Sequence, residues 1–91
     1  MAWYRVMYVP SVMDDLRAID TSMAQRLLDK TKWLASNVAN LRHEPLHQDL
    51  AGLIQYAVGD WRIFYSIDKE EHIVHIYRIA TRRDLYTSRT T

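Results

Sequence analysis

The sequence predicts an α+β fold in the order β-α-α-β-β-β, an N-terminal helical hairpin packed on one face of a twisted antiparallel sheet. Three observations predict it. Apolar residues recur with helical spacing between residues 12 and 38, and alternate as in strands before and after that stretch. Only two Gly and two Pro occur in 91 residues, so regular structure dominates and turns are few. The apolar fraction of 48% and charged fraction of 25% are those of an ordinary globular chain. A chain of this length has room for one core, so residues 1–91 are expected to form a single domain.

Residues 3–9, rich in Tyr, Val and Met, form the first expected strand, which Pro10 ends. Ser11 then suits an N-cap, with Asp14 three residues on, and Val12, Leu16 and Ile19 share one face of a short helix. Asp20, Thr21 and Ser22 break it. Ser22 and Gln25 match the S-x-x-Q capping box of a second helix. Met23, Leu27, Leu28, Thr31, Leu34, Ala35 and Val38 keep its buried stripe, while Arg26, Asp29, Lys30 and Lys32 fall outside it. Residues 40–51 are irregular and contain Pro45. From residue 53 the period becomes two. Residues 53–58 and 61–67 read as strands joined by Gly59-Asp60, where glycine at the first loop position suits a type II′ turn. A second turn at 68–71 leads to a third strand over 72–80, whose bulk comes from Ile73, Val74, Ile76, Tyr77 and Ile79.

Several function classes are excluded at once. With no cysteine there is neither a disulfide framework nor a Cys-based zinc site, and a reducing compartment is permitted. No segment has the apolar length of a membrane helix, and the N-terminus lacks the apolar run of a signal peptide. The net charge of +1 does not advertise a polyanion partner for the chain as a whole. Its distribution is more informative, because residues 72–91 hold Arg78, Arg82, Arg83 and Arg89 against Asp84 alone, a local basic zone on a nearly neutral body.

Alternation along residues 61–67 sends Trp61, Ile63, Tyr65 and Ile67 toward the helices and Arg62 to the open face, which Gln55 and Ala57 share. Arg62 is either a solvated arginine paired with Asp60 or Asp49, or a phosphate ligand. Arg82, Arg83 and, four residues after Arg82, Tyr86 are either a solvated basic terminus or part of the same site. Guanidinium groups and a phenol on an open sheet can bind a phosphodiester and stabilise charge developing on it. Glu44 is a candidate proton acceptor or a surface carboxylate. Pro45 between His43 and His47 disfavours a helical metal pair there, and His72 and His75 fall on opposite strand faces.

The run Val58-Gly59-Asp60-Trp61-Arg62-Ile63-Phe64-Tyr65-Ser66-Ile67-Asp68, together with Ile79-Ala80-Thr81-Arg82-Arg83-Asp84-Leu85-Tyr86, resembles the RelE/ParE toxin superfamily over nearly the whole chain. The resemblance implies a RelE-like fold and a toxin of a type II toxin–antitoxin system. Its RelE-like members are ribosome-dependent, metal-independent endoribonucleases, which cut messenger RNA in the A site by 2′-oxygen attack. It further implies that Arg62 and Arg82 stabilise the transition state, that Tyr86 stacks on a base or transfers a proton, and that Glu44, in the YoeB-like Glu44-Pro45-Leu46, is the general base. Arg78, Arg83 and Gln55 become nucleic-acid contacts. The implied partners are a cognate antitoxin, in an assembly that admits a hetero-tetramer, and the ribosome with its message. The implied location is cytoplasmic, with no membrane and no cofactor. Gln55 and Ala57 depart from the pattern, since many relatives are basic there. The ParE branch, which inhibits DNA gyrase, and a module that only binds its antitoxin are the alternatives.

Overall fold

The computed structural model describes residues 4–40 and 53–87, with side chains as far as residue 84. The elements are β1 (Arg5–Tyr8), α1 (Pro10–Arg17), α2 (Thr21–Ser36), a 3-10 turn (Val38–Asn40), β2 (Ile54–Val58), β3 (Trp61–Asp68), β4 (Ile73–Thr81) and α3 (Arg82–Thr87). The α+β class and the order of the first six helices and strands are as expected, while α3 is additional. The sheet order is β1-β4-β3-β2. The two hairpins are antiparallel, but β1 runs parallel to β4, so the sheet is mixed rather than wholly antiparallel. β4 is thereby central, which accounts for its Ile- and Val-rich sequence.

Both helix starts differ from expectation. Pro10 is the first residue of α1, where a missing N–H costs nothing, and Val9 precedes it, so Ser11 is not the cap. In α2 the cap is Asp20, whose carboxylate accepts the N–H groups of Ser22 and Met23 at 3.1 and 3.4 Å. Gln25 completes no capping box and donates instead to Asp29 Oδ1. At the other end Asn37 closes α2 by donating its side-chain amide to Trp33 O at 2.8 Å.

The helices lie on one face of the sheet. Val12 and Leu16 of α1 and Leu27, Thr31, Leu34 and Ala35 of α2 pack with Ile63, Tyr65, Val74, Ile76 and Ile79. Each large aliphatic residue here contributes about 1.5–3 kcal/mol by leaving water. Thr31, wholly buried, stays satisfied. Its hydroxyl donates to Leu28 O at 2.7 Å, so the Tyr8 hydroxyl donates to Thr31 Oγ1 at 2.6 Å.

Two irregularities shape the sheet. Gly59 has φ +60° while Asp60 does not enter the left-handed region, the pattern of the expected type II′ turn. In β4 the register shifts by one between Phe64 and Tyr65 of its partner, leaving Tyr77 as an extra residue. Ile76 and Ile79, three apart, therefore both face the core. Past Tyr8 the chain turns away, with Val9 N–H donating to Ile76 O at 3.1 Å. Beyond that point the Ile79 N–H finds the carboxylate of Asp15 on α1, Oδ2 at 3.1 Å. The turn after β3 is closed by Asp68 Oδ1, which accepts from the N–H groups of Glu70 and Glu71, and His72 belongs to this turn, at φ 57°.

Candidate active site at the β2–β3 turn

Two rows of side chains cross the face opposite the helices. Ala57, Arg62 and Ala80 are aligned on β2, β3 and β4, and Gln55, Phe64 and Arg78 form the next row. Small neighbours on both sides leave space around Arg62. The face is not bare throughout, since Phe64 and Ala80 are buried, at 8% and 6% exposure. Gln55 is exposed and Arg78 half-buried.

Arg62 does not pair with Asp60. Its Nη1 donates to Gly59 O at 2.8 Å and to Trp61 O at 2.9 Å. Arg82 is held by the same turn, through its backbone N–H on Asp60 O at 2.8 Å. Three successive carbonyls, at residues 59, 60 and 61, thus anchor the two arginines singled out by the sequence at one end of the sheet. Carbonyls accept hydrogen bonds without cancelling charge. Among the described residues neither guanidinium makes an ion pair, and Asp49, the other expected partner of Arg62, lies outside them.

Arg82 and Arg83 are exposed and, with Asp60 and Thr81, line a shallow cleft of about 430 Å³. Thr81 sets the start of α3, its Oγ1 accepting the Asp84 N–H at 3.0 Å. This cap went unread in the sequence, although Thr81 and Asp84 have the T-x-x-D spacing that signals a helix start. Helix α3 carries the backbone of position 86 one turn beyond Arg82. The Tyr86 side chain lies outside the described residues, as do Glu44, His43 and His47. Among the described residues there is no group of three or more His, Asp or Glu able to hold a metal ion, and no helix is long and apolar enough to cross a membrane.

The family described as "ParE toxin of type II toxin-antitoxin system, parDE" matches residues 6–86, which span the whole cleft. The chain is 30% identical over 83 residues to Toxin RelE of Mycobacterium tuberculosis (strain ATCC 25618 / H37Rv), covering 91% of this chain and 86% of that protein. Among solved structures, it is similar to a chain of the RelBE2 toxin–antitoxin complex of M. tuberculosis, with TM-score 0.81, 26% identity and coverage of 92% and 97% of the two chains. The archaeal RelE–RelB complex of Pyrococcus horikoshii shares the fold at TM-score 0.66 and 20% identity, covering 87% and 94%. So does a free, arginine-substituted variant of E. coli toxin RelE, at 0.71 and 12%, covering 97% and 93%.

Proposed function

The chain belongs to the RelE/ParE toxin family of type II toxin–antitoxin systems, and from that premise we propose that it is a ribosome-dependent endoribonuclease acting on messenger RNA. The observation that carries this reading is the anchoring of Arg62 and Arg82 on one hairpin turn, with no ion pair at either guanidinium among the described residues. In the proposed reaction the ribose 2′-oxygen attacks the adjacent phosphorus and the bond to the 5′-oxygen breaks. Glu44 takes the 2′-proton. Arg62 and Arg82 bind the non-bridging oxygens, whose negative charge grows in the transition state. Tyr86 stacks on a base or delivers a proton to the leaving oxygen. Arg83 at the cleft, and Arg78 and Gln55 further along the open face, contact the nucleic-acid backbone.

The partner is a cognate antitoxin, as in the RelBE2 and RelE–RelB complexes of the relatives, in a hetero-tetramer or a simpler assembly. Its release frees the toxin for the ribosome, which places the activity in the cytoplasm.

The test is to map message ends in a translating extract. Cleavage within codons is expected, and the Arg62→Ala and Arg82→Ala variants should each lose about a hundredfold or more in rate, as when a preorganised donor to a developing oxyanion is removed. The match to the ParE description favours one other reading, a gyrase inhibitor. Intact messages together with blocked DNA supercoiling would establish that reading and refute the nuclease.

A further inference from the structure

The extra residue in β4 gives the open face a second feature, away from the cleft. A bulge of this kind sets two consecutive side chains on one side of the sheet. Here they are Tyr77 and Arg78, facing Phe64. Tyr77 is 39% exposed, although it sits mid-strand in the central strand. Its hydroxyl reaches Ser66 Oγ at 3.5 Å, and its ring centroid is 6.3 Å from that of half-buried His75, with 38° between the planes. Two rings therefore lie side by side on a surface facing solvent.

Among the described residues the charge on this face is mostly positive. This face carries Arg5 on β1, Arg62 on β3 and Arg78 on β4. Among the described residues its acid is Asp68, two residues beyond Ser66 on β3, whose carboxylate already accepts two backbone N–H groups. Exposed rings on a cationic sheet suit unpaired nucleobases, which stack on aromatic faces while the phosphates follow the arginines. On β3 the positions 62, 64 and 66 share the face; Tyr77 sits opposite Phe64, roughly 7 Å along the strand from Arg62, and its hydroxyl extends to Ser66, roughly 13 Å away. An extended RNA strand covers that distance within a few nucleotides.

We propose that Tyr77 and His75 form a base-stacking platform for single-stranded RNA, continuous with the Arg62 end of the sheet. It holds a nucleotide away from the scissile linkage and contributes to the grip on the message rather than to bond breaking. The identity of the polyanion rests on the proposed nuclease function.

The test uses the whole chain and a short, fluorescently labelled single-stranded RNA of mixed sequence, with affinity read by anisotropy over a range of salt. Tyr77→Ala should weaken binding roughly tenfold, while Tyr77→Phe, which keeps the ring, should bind like the parent. The salt slope should not change, because no phosphate contact is removed. Tyr77 is exposed, so thermal unfolding should move little in either variant. Unaltered affinity in Tyr77→Ala overturns the platform, as does an equal loss in Tyr77→Phe, which would assign the effect to the hydroxyl. Absence of RNA binding by the parent chain overturns it too. The two readings fail separately. Tyr77-dependent binding without message cleavage sinks the nuclease and keeps the platform, while Arg62-dependent cleavage with an indifferent Tyr77 does the reverse.

Discussion

The two faces of the sheet are built on different rules. On the helix-covered face, Ile63, Tyr65, Val74, Ile76 and Ile79 are almost completely buried, and apolar contact is what selects each residue type. On the opposite face the same two strands present Arg62, Ser66, His75, Tyr77 and Arg78, where packing selects little and chemistry is free to choose. The residue that separates the two regimes is Tyr77. Its insertion keeps Ile79 in the core while turning Arg78 outward, so one irregularity serves both faces. The difference teaches that substitutions should be read by face. Core changes should appear in stability, and open-face changes in binding and cleavage.

The largest stability effect should come from the covered face. Leu34 is fully buried against the sheet. Leu34→Ala removes its contacts and leaves a cavity, which costs about 2–5 kcal/mol. In a chain of this size that lowers the melting temperature by roughly 10 °C or more. A melting curve that matches the parent would mean that α2 packs more loosely than described.

Asp15→Ala should come next. The variant leaves the Ile79 N–H, in a residue only 2% exposed, without its acceptor, at a cost of about 1–3 kcal/mol. Removing Asp14 instead, whose ion pair with Arg17 is exposed on both sides, should cost under about 1 kcal/mol. The comparison isolates the bulge, because both acids lie on α1. Asp15→Asn retains a carbonyl acceptor and should recover much of the loss, measured by denaturant titration.

How far the two faces could be read from the sequence obeys the same division. The stripe of α2 and the inward set Trp61, Ile63, Tyr65 and Ile67 follow from periodicity, because burial enforces it. The outward position of Arg62 follows by default. The bulge was encoded in Ile76 and Ile79, which cannot both be core in an unbroken strand, and α3 was encoded in Thr81 and Asp84. Parallel pairing of β1 with β4 was not legible locally. It depends on which sheet edge remains free once the two hairpins have formed. Nor could spacing reveal that Arg62 and Arg82 are both tied to one turn, because main-chain carbonyls rather than side chains hold them there. The roles of Glu44 and Tyr86 rest on resemblance alone.

Alkaline pH sharpens the contrast from the covered side. Burial, followed by repulsion from Tyr56, pushes the Tyr65 phenol up to about 12. An unfolded tyrosine ionises near 10. Between these values the unfolded state binds fewer protons than the folded one, so stability falls as pH rises, with a slope of at most about 1.4 kcal/mol per pH unit. Below about pH 10 this contribution is fully present. Unfolding measured from pH 9 to 12 should show a shallower decline in Tyr65→Phe than in the parent. Parallel declines would mean that the phenol is not the group responsible.

The smallest effect should be a gain on the open face. Ala57 is exposed and lies beside Arg62, with Ala80 on the other side. A lysine there has room for its stem, removes no buried contact, and should change stability by under about 0.5 kcal/mol. It adds one cation to the surface proposed for RNA. If the strand passes over this row, Ala57→Lys should steepen the salt dependence of single-stranded RNA binding by about 0.7 in log–log slope. A similar substitution at exposed Ser36, at the end of α2, adds the same charge to the chain but not to this surface, and should leave the slope unchanged. Equal slopes in the two variants would show that only net charge matters and that the open face has no privileged path. A steeper slope for Ala57→Lys alone would draw that path directly alongside Arg62.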